Sequence, residues 1–417
     1  MKHLIIGNGV AGITAARHIR MQDERAEISV VSDESDFFYS RTALMYVFMG
    51  DLNTKDTEPY ERWFYKKNRI QCIRDRIESI DFGSKILRGQ SGARYGYDQL
   101  LIAAGSKPRM AEWPGKELNG VCCFYGLEDL EELRRLTPRA EAAVVVGGGL
   151  IGVEMVEMLL HKGIRVHYLV RGDRFFPAGL SAEESDMVVE HIRSQGVEVI
   201  MNDELSIIEG REEKVTRVIS QKGLAIPCQI AGIAIGVTPN IAFLADTDLA
   251  TQRGILVDKY LATNQPGVWA AGDCAELSWM PEKRPGRVEQ IWYTAKMQGR
   301  VAGRTMAGCD DEYLRGIWYN SAKFFDIDYH TFGKVNLGEP GEKNAYFRVK
   351  DANRSLRLVH RNGKIIGFNA LGMRFRDAVC RRWIEEERSI QYVLDHLEEG
   401  WFEPEFARSD LREVVHA

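Results

Sequence analysis

Two glycine hexapeptides carry the chemistry-bearing pattern of this chain. They are Gly7-Asn8-Gly9-Val10-Ala11-Gly12 and Gly147-Gly148-Gly149-Leu150-Ile151-Gly152. Each follows a short apolar run (Leu4-Ile5-Ile6; Ala142 to Val146) and opens a stretch with helical periodicity. In that setting the first glycine makes a strand-to-helix turn and the second lets backbone approach a pyrophosphate. The third lets helix pack on strand, and the anion rests on the positive end of the helix. Backbone around Gly7, Gly9, Val10, Ala11 and Gly12 would cradle one dinucleotide. Gly147, Gly149, Leu150, Ile151 and Gly152 would cradle another. Two dinucleotides in one protein imply electron exchange between them.

The flanking charges sharpen this. After the second strand, Ile28 to Val31, come Ser32, Asp33 and Glu34, at the distance where a carboxylate meets a ribose hydroxyl. Which of the three makes that contact stays open; Ser32 stands at the strand end itself. In the second half the matching position is Val170, followed by Arg171 and Arg174. Loss of the carboxylate and gain of two cations suits a 2′-phosphate, so NADPH is favoured over NADH.

Composition excludes several classes. At 45% hydrophobic and 28% charged the chain is ordinary for a globular protein, and a net charge of −5 disfavours a general nucleic-acid binder. No apolar run reaches membrane-spanning length. The first motif starts at residue 7, which leaves no room for a signal peptide, so a cytoplasmic setting is expected. The seven cysteines include no CxxC or CxxxxC pair and read as reduced thiols; the nine histidines form no HxxxH or HxH cluster, so no metal site is expected.

The rest of the chain must position these motifs. Aromatics crowd residues 35–66, as a cofactor wall or as core. A small turn, Ala103-Ala104-Gly105-Ser106, follows the apolar run from residue 97, and Pro108, Pro114 and Gly115 mark a crossing. Strands are expected at Ala142–Val146, Val166–Val170 and Val197–Met201. Small-residue turns recur at Ala234-Ile235-Gly236 and Ala271-Gly272-Asp273. Residues 288–307 read as a helix with Ala295, Gly299, Ala302 and Gly303 on one face. Beyond about 312 an Asn362-Gly363 hairpin and a charged helical stretch, Phe375–Glu387, suggest a separate α+β domain.

Five segments in this order, Leu4–Gly12, Tyr97–Arg109, Val144–Glu154, Ala234–Asn240 and Val268–Asp273, make the chain resemble the FAD-dependent pyridine nucleotide–disulfide oxidoreductases. The resemblance extends over nearly the whole length. It is strongest to the branch without a catalytic disulfide: rubredoxin reductases, ferredoxin reductases and the flavin part of nitrite reductase large subunits. Tyr39-Ser40-Arg41 resembles the YxR motif of that branch, and residues 33–50 contain no cysteine. Where oxygenase-type relatives carry a lysine after the arginine, this chain has Tyr46.

The resemblance implies an α/β protein with two Rossmann-like domains and a small C-terminal α+β domain. A discontinuous FAD domain (1–110 and 236–312) would be interrupted by an NAD(P) domain (111–235) and followed by residues 313–417. It implies that Ala104, Gly105, Gly272 and Asp273 border FAD, and that Ile235 and Gly236 belong to the cofactor-binding set. A helix starting near Glu289-Gln290-Ile291 would aim its N-terminus at the flavin, with Trp292 either packed on that edge or in the core. Arg41 would lie against the flavin or the pyrophosphate, or else in a surface ion pair, and Glu154 would position the nicotinamide, or else pack its helix. The implied activity is hydride transfer from NAD(P)H to flavin, then electron delivery to a rubredoxin, a ferredoxin or a small molecule. The alternatives are a peroxide-forming NAD(P)H oxidase and a redox-controlled, apoptosis-inducing-factor-like interaction module. A homodimer is compatible with either. Arg374, Arg376, Arg381 and Arg382 around Trp383 form either a docking cluster for an acidic partner or a solvated helix face.

Overall fold

The computed structural model describes residues 1–280, 287–349 and 352–403. They form two compact units, Met1–Arg109 with Tyr125–Glu131 and Val237–Arg315, and Met110–Phe124 with Glu132–Gly236 and Gly316 onward.

The first unit is built on a five-stranded parallel sheet, ordered Val268–Ala270, Gln99–Ile102, Lys2–Ile6, Glu27–Ser32, Ile70–Arg74. Parallel strands are covered on both faces, so they read as unbroken apolar runs rather than alternating ones. Leu4, Ile5, Leu100, Leu101 and Ile102 are all buried. The first-fingerprint helix, Val10–Gln22, crosses the sheet and packs on helix Trp292–Met306. The small face expected over 288–307 makes this possible. A Cβ on Gly299 would lie 2.3 Å from the Ala11 carbonyl oxygen, and one on Gly303 2.5 Å from that of Ala15. Of the aromatics in residues 35–66, Phe38, Tyr39, Phe48 and Tyr65 are buried.

The second unit repeats the theme. Its parallel sheet is ordered Glu198–Met201, Arg165–Val170, Ala142–Val146, Ile230–Ile233, Val121–Cys122. The second-fingerprint helix, Leu150–His161, packs on its central strands. From Tyr319 the chain makes a five-stranded antiparallel sheet. Its hairpin turns at Asn362 and Gly363, both with positive φ (51° and 78°), the geometry that an Asn-Gly pair favours. Helix Asp377–Glu385 covers this sheet with Cys380 and Trp383, both fully buried.

These units differ from the expected segments in two places. Tyr125–Glu131 packs with the first unit, and the C-terminal sheet packs with the second rather than forming a third compact body. Buried polar contacts account for the latter. Arg357 of the C-terminal sheet forks onto Glu184 of helix Ala182–Ser194, and Asn369 donates to both Glu184 and the Gly179 carbonyl.

Candidate functional site

Both hexapeptides fold into the same turn. A Cβ on Gly7 would lie 2.1 Å from the Ala103 carbonyl oxygen, and one on Gly147 2.2 Å from that of Ala234. Gly12 and Gly152 each press on the carbonyl of the first glycine of their own motif, where a Cβ would come within 2.0 Å. The middle glycines differ in kind. A Cβ on Gly9 or Gly149 would meet nothing within 4 Å. The outer glycines therefore serve packing, and the middle ones keep open the space in front of the helix.

That space faces uncapped helix starts. Neither fingerprint helix has a side-chain N-cap or an acidic residue in its first turn. Helix Trp292–Met306, which begins after an extended Ile291, has no side-chain cap from that residue and no acidic residue in its first turn. Helix Ala182–Ser194 shows the contrast: Ser181 and Glu184 close a capping box over it, and Glu183 and Glu184 lie in its first turn. The first N–H groups of a helix lack internal partners and carry its positive pole. Leaving them bare in the fingerprint helices fits an anionic ligand such as a pyrophosphate. Asn8, inside the first motif, has a buried side-chain oxygen without a protein partner. The residues present therefore fit a bound dinucleotide in each unit.

In the first unit several expected residues converge. The Ser106 hydroxyl accepts from Gln290 (2.9 Å) and donates to Asp273 (3.1 Å). The Tyr125 hydroxyl accepts from the Ser106 N–H at 3.1 Å. Asn240 binds the carbonyls of Ala104 and Gly105. Gly272, at φ 79°, packs against Ala11. Burial pushes the Asp273 carboxyl up to about 6, against the opposing pull of Ser106 and Arg41. Burial also lifts the Tyr125 hydroxyl to about 12, with the Asp273 charge adding to it. Trp292 is partly exposed, with the Lys296 ammonium 5.0 Å from its ring.

Arg41 is anchored rather than free. Its guanidinium forks onto Glu34 (2.6 and 3.1 Å), donates to the Tyr125 carbonyl (2.7 Å) and lies 4.3 Å from the Tyr125 ring centroid. Glu34 also accepts from Tyr39 and from the Leu127 N–H. Its carboxylate is thus engaged at both oxygens. Asp33 is half exposed, on Arg76 at 3.1 Å, and Ser32 ends the strand. Of the three ribose candidates, Ser32 and Asp33 retain more spare hydrogen-bonding capacity.

Four polar residues of this unit carry a role that the sequence reading did not assign them. Ser106 and Tyr125 tie the Gly105 turn to Asp273 and Arg41. Glu289, buried before the helix, accepts from Gln298 (3.0 Å) and Tyr313 (2.6 Å) and pairs with Arg315; Gln298 also accepts from the Gly272 N–H (2.8 Å). Only Ser106 had a local signal, the turn that precedes it.

In the second unit Glu154 lies on the fingerprint helix and Ile235 joins the core beside the Gly147 turn, with Gly236 following at φ 104°. Burial, then the neighbouring Glu157 charge, push Glu154 up to about 7, while Lys323 pulls the other way. Val170 is buried at its strand end. Arg171 is 82% exposed and Arg174 46%, with their nearest carboxylates at 3.9 and 4.0 Å, too far for firm pairs.

The other expectations resolve locally. Arg374, Arg381 and Arg382 each pair with an acid, Asp328, Asp377 and Glu399, and Trp383 is core. The contiguous basic patch around Arg376 is thereby largely neutralised. Among the described residues no group of His, Cys, Asp and Glu is arranged to hold a metal, and no helix is long and apolar enough to cross a membrane. All seven cysteines are free thiols.

Residues 1–299 match the family described as pyridine nucleotide-disulphide oxidoreductase. A rubredoxin-NAD(+) reductase from Pseudomonas putida is 30% identical over 310 residues, 74% of this chain and 80% of the relative. The ferredoxin–NAD(+) reductase component of the biphenyl dioxygenase system of Paraburkholderia xenovorans is 29% identical over 303 residues, 72% of this chain and 74% of the relative. In fold, a ferredoxin reductase from Rhodopseudomonas palustris superposes with a TM-score of 0.81 at 24% identity, covering 99% of both chains.

Proposed function

Because the chain belongs to the pyridine nucleotide-disulphide oxidoreductase family, an oxidoreductase family that uses FAD and a pyridine nucleotide, we propose that it is a reductase that carries electrons from NAD(P)H to a small iron protein of the rubredoxin or ferredoxin kind. One observation carries the reading beyond the family: two matched, uncapped helix starts, with no cysteine among residues 33–50. Burial pushes Cys72 up to about 11 and Cys274 up to about 12, so neither is a thiolate at neutral pH. Electrons must then leave directly, which suits an acceptor that takes them at an exposed cofactor edge. The relatives named for rubredoxin and ferredoxin support the same acceptor class.

When bound, FAD would take two electrons from the nicotinamide nucleotide and release them to the acceptor. The chain's own residues bind and orient. The backbone of Gly9, Val10 and Ala11 would face the FAD pyrophosphate. Asp273, held by Ser106, would accept from a cofactor hydroxyl. The start of helix Trp292–Met306, with no acidic residue in its first turn and with Gln290 and Ile291 before it, would present a positive pole to developing negative charge. Arg41, tied to Glu34, holds the loop at residues 33–41 against Tyr125 and so shapes the pocket wall. In the second unit the backbone of Gly149, Leu150 and Ile151 would hold the nucleotide pyrophosphate, and Glu154 would face the nicotinamide. Orientation of the two rings, rather than an acid–base group, lowers the barrier.

The loosely held cations Arg171 and Arg174, with Val170 in place of an acid, support use of NADPH. The relatives are named for NAD(+), so that preference rests on these three residues alone. Steady-state kinetics with both nucleotides decides it. R171Q/R174Q should weaken NADPH use about tenfold, the equivalent of one charge-assisted contact, and leave NADH unchanged; equal losses would show that the cations do not read the 2′-phosphate.

The central test is anaerobic. NAD(P)H should bleach the flavin of the holoprotein, and rubredoxin or a [2Fe–2S] ferredoxin should restore its colour much faster than air does. A flavin that NAD(P)H leaves oxidised would sink the proposal.

A further inference from the structure

The strand Tyr319–Phe324 packs on the second-fingerprint helix, within the second unit. From it Lys323 reaches Glu157 at 2.6 Å, with side chains 23% and 17% exposed. Glu157 lies three residues after Glu154, on the same face of the helix. A lysine of the C-terminal sheet therefore stands beside the carboxylate assigned to the nicotinamide end.

The surroundings leave few other charges to act on Glu154. Two strands under this helix, Ala142–Val146 and Ile230–Ile233, contain no titratable side chain. The third, Arg165–Val170, turns Tyr168 towards the helix start, where its hydroxyl donates to the Gly147 carbonyl; burial keeps it neutral. Arg165 and His167 alternate to the opposite face of that strand, and His167 pairs with Glu198. Among the described residues, Glu157 and Lys323 are the charged groups that act on Glu154.

We propose that Lys323 is a positioning residue for the nicotinamide site: by neutralising Glu157 it sets the charge state of Glu154, so the C-terminal sheet tunes nucleotide binding. This rests on the reading of Glu154 as the nicotinamide-side carboxylate. Without Lys323, the Glu157 charge acts unopposed across one helical turn and makes a second negative charge at Glu154 harder to form. Without Glu157, that charge forms more easily. With both gone, the two effects cancel in large part.

Infrared difference titration tests this without nucleotide. The protonated carboxyl band that E154Q abolishes reports the Glu154 midpoint. K323Q should raise that midpoint by about one pH unit and E157Q should lower it by a similar amount. K323R should hold it, and K323Q/E157Q should return it close to wild type. The second readout is the pH dependence of NAD+ and NADP+ affinity in the FAD-loaded protein, whose midpoint should move in step. A Glu154 midpoint indifferent to both single changes overturns the proposal, and so does a midpoint that moves while nucleotide affinity does not follow. Failure of NAD(P)H to bleach wild-type flavin is a separate result, and it strikes the function reading instead.

Discussion

Arg41 and Glu34 meet in a two-point fork, Nη2 to Oε2 at 2.6 Å and Nη1 to Oε1 at 3.1 Å. The Leu127 N–H and the Tyr125 carbonyl complete it from a segment some 85 residues further along the chain. This fork ties Tyr125–Glu131 to the first unit through the Tyr125 carbonyl and the Leu127 N–H. Arg41 is thus a structural clamp as well as a candidate for the cofactor wall.

Cutting the clamp should be measurable. R41M leaves Glu34 without its cation and should lower stability by about 2 kcal/mol at pH 7, the scale of hydrogen bonds to charged groups, since both side chains keep some solvent contact. Burial alone would raise Glu34, but the charge and hydrogen bonds of Arg41, with those of Tyr39 and Leu127, hold it below the usual carboxylate range. A depressed folded-state value contributes stability above the unfolded-state value and loses it as pH falls through the folded one. The gap between wild type and R41M in urea melts should therefore narrow as pH falls through the Glu34 value of the variant, which burial raises, towards that of wild type. A gap that stays constant from pH 7 to pH 3 would show that the fork contributes nothing.

The glycines separate packing from binding. Gly12→Ala would place a methyl group 2.0 Å from the Gly7 carbonyl oxygen and should cost the flavin-free protein about 3 kcal/mol or more. Gly9→Ala meets open space, so the flavin-free protein should melt as wild type does while FAD affinity falls at least tenfold. Equal melting losses in both variants would refute the division of roles.

These roles also show what was legible in the sequence. The Gly7 and Gly147 turns are local: six residues specify strand, turn and helix start, and a missing Cβ is needed at fixed positions. The Asn362-Gly363 hairpin is legible for the same reason. The central strands of the two parallel sheets, Lys2–Ile6, Gln99–Ile102 and Ala142–Val146, are recognisable from their apolar runs. What escaped depends on contacts between distant residues. Tyr125 enters the first site through Arg41, 84 positions away, and Lys323 reaches Glu157 across 166. The buried Glu184–Arg357 pair joins residues 173 apart, so the attachment of the C-terminal sheet to the second unit had no local signature. The Arg374–Arg382 cluster was legible as a solvated, ion-paired helix face, but not which acids pair with it. Its charges are contiguous in sequence, but their partners Asp328 and Glu399 come from elsewhere.

Asp273 gives a pH signature. Its carboxyl is pushed up to about 6 in the folded protein against an unfolded value of about 4. A raised carboxylate works in the reverse sense to Glu34. The native state holds the proton more tightly, so stability falls as pH rises from about 4 to about 6. Water still reaches the partly exposed side chain, which reduces the effect to about 1 kcal/mol. D273N should therefore make the flavin-free protein more stable at pH 7, match it at pH 4, and bind FAD more weakly. A D273N variant less stable than wild type at pH 7 would show that the ionised carboxylate is structurally required.

Arg357 and Glu184 supply the sharpest energetic test. Their side chains are 1% and 0% exposed, with hydrogen bonds from Arg357 Nε and Nη2 to Glu184 at 3.0 and 2.9 Å. Arg357 also binds Asn336 (2.7 Å), and Asn369 donates to Glu184 (2.8 Å). Removing one ion from such a pair leaves the other buried and unpaired, at about 3–5 kcal/mol; removing both in favour of apolar side chains often costs little. R357M and E184Q should therefore each destabilise strongly, while R357M/E184L should recover most of the loss. Because the pair joins the C-terminal sheet to helix Ala182–Ser194, the single variants should also speed amide hydrogen exchange along Ser355–Arg361 before global unfolding. Losses that simply add in the double variant would mean that the two side chains act independently, and that other contacts hold the sheet to the second unit.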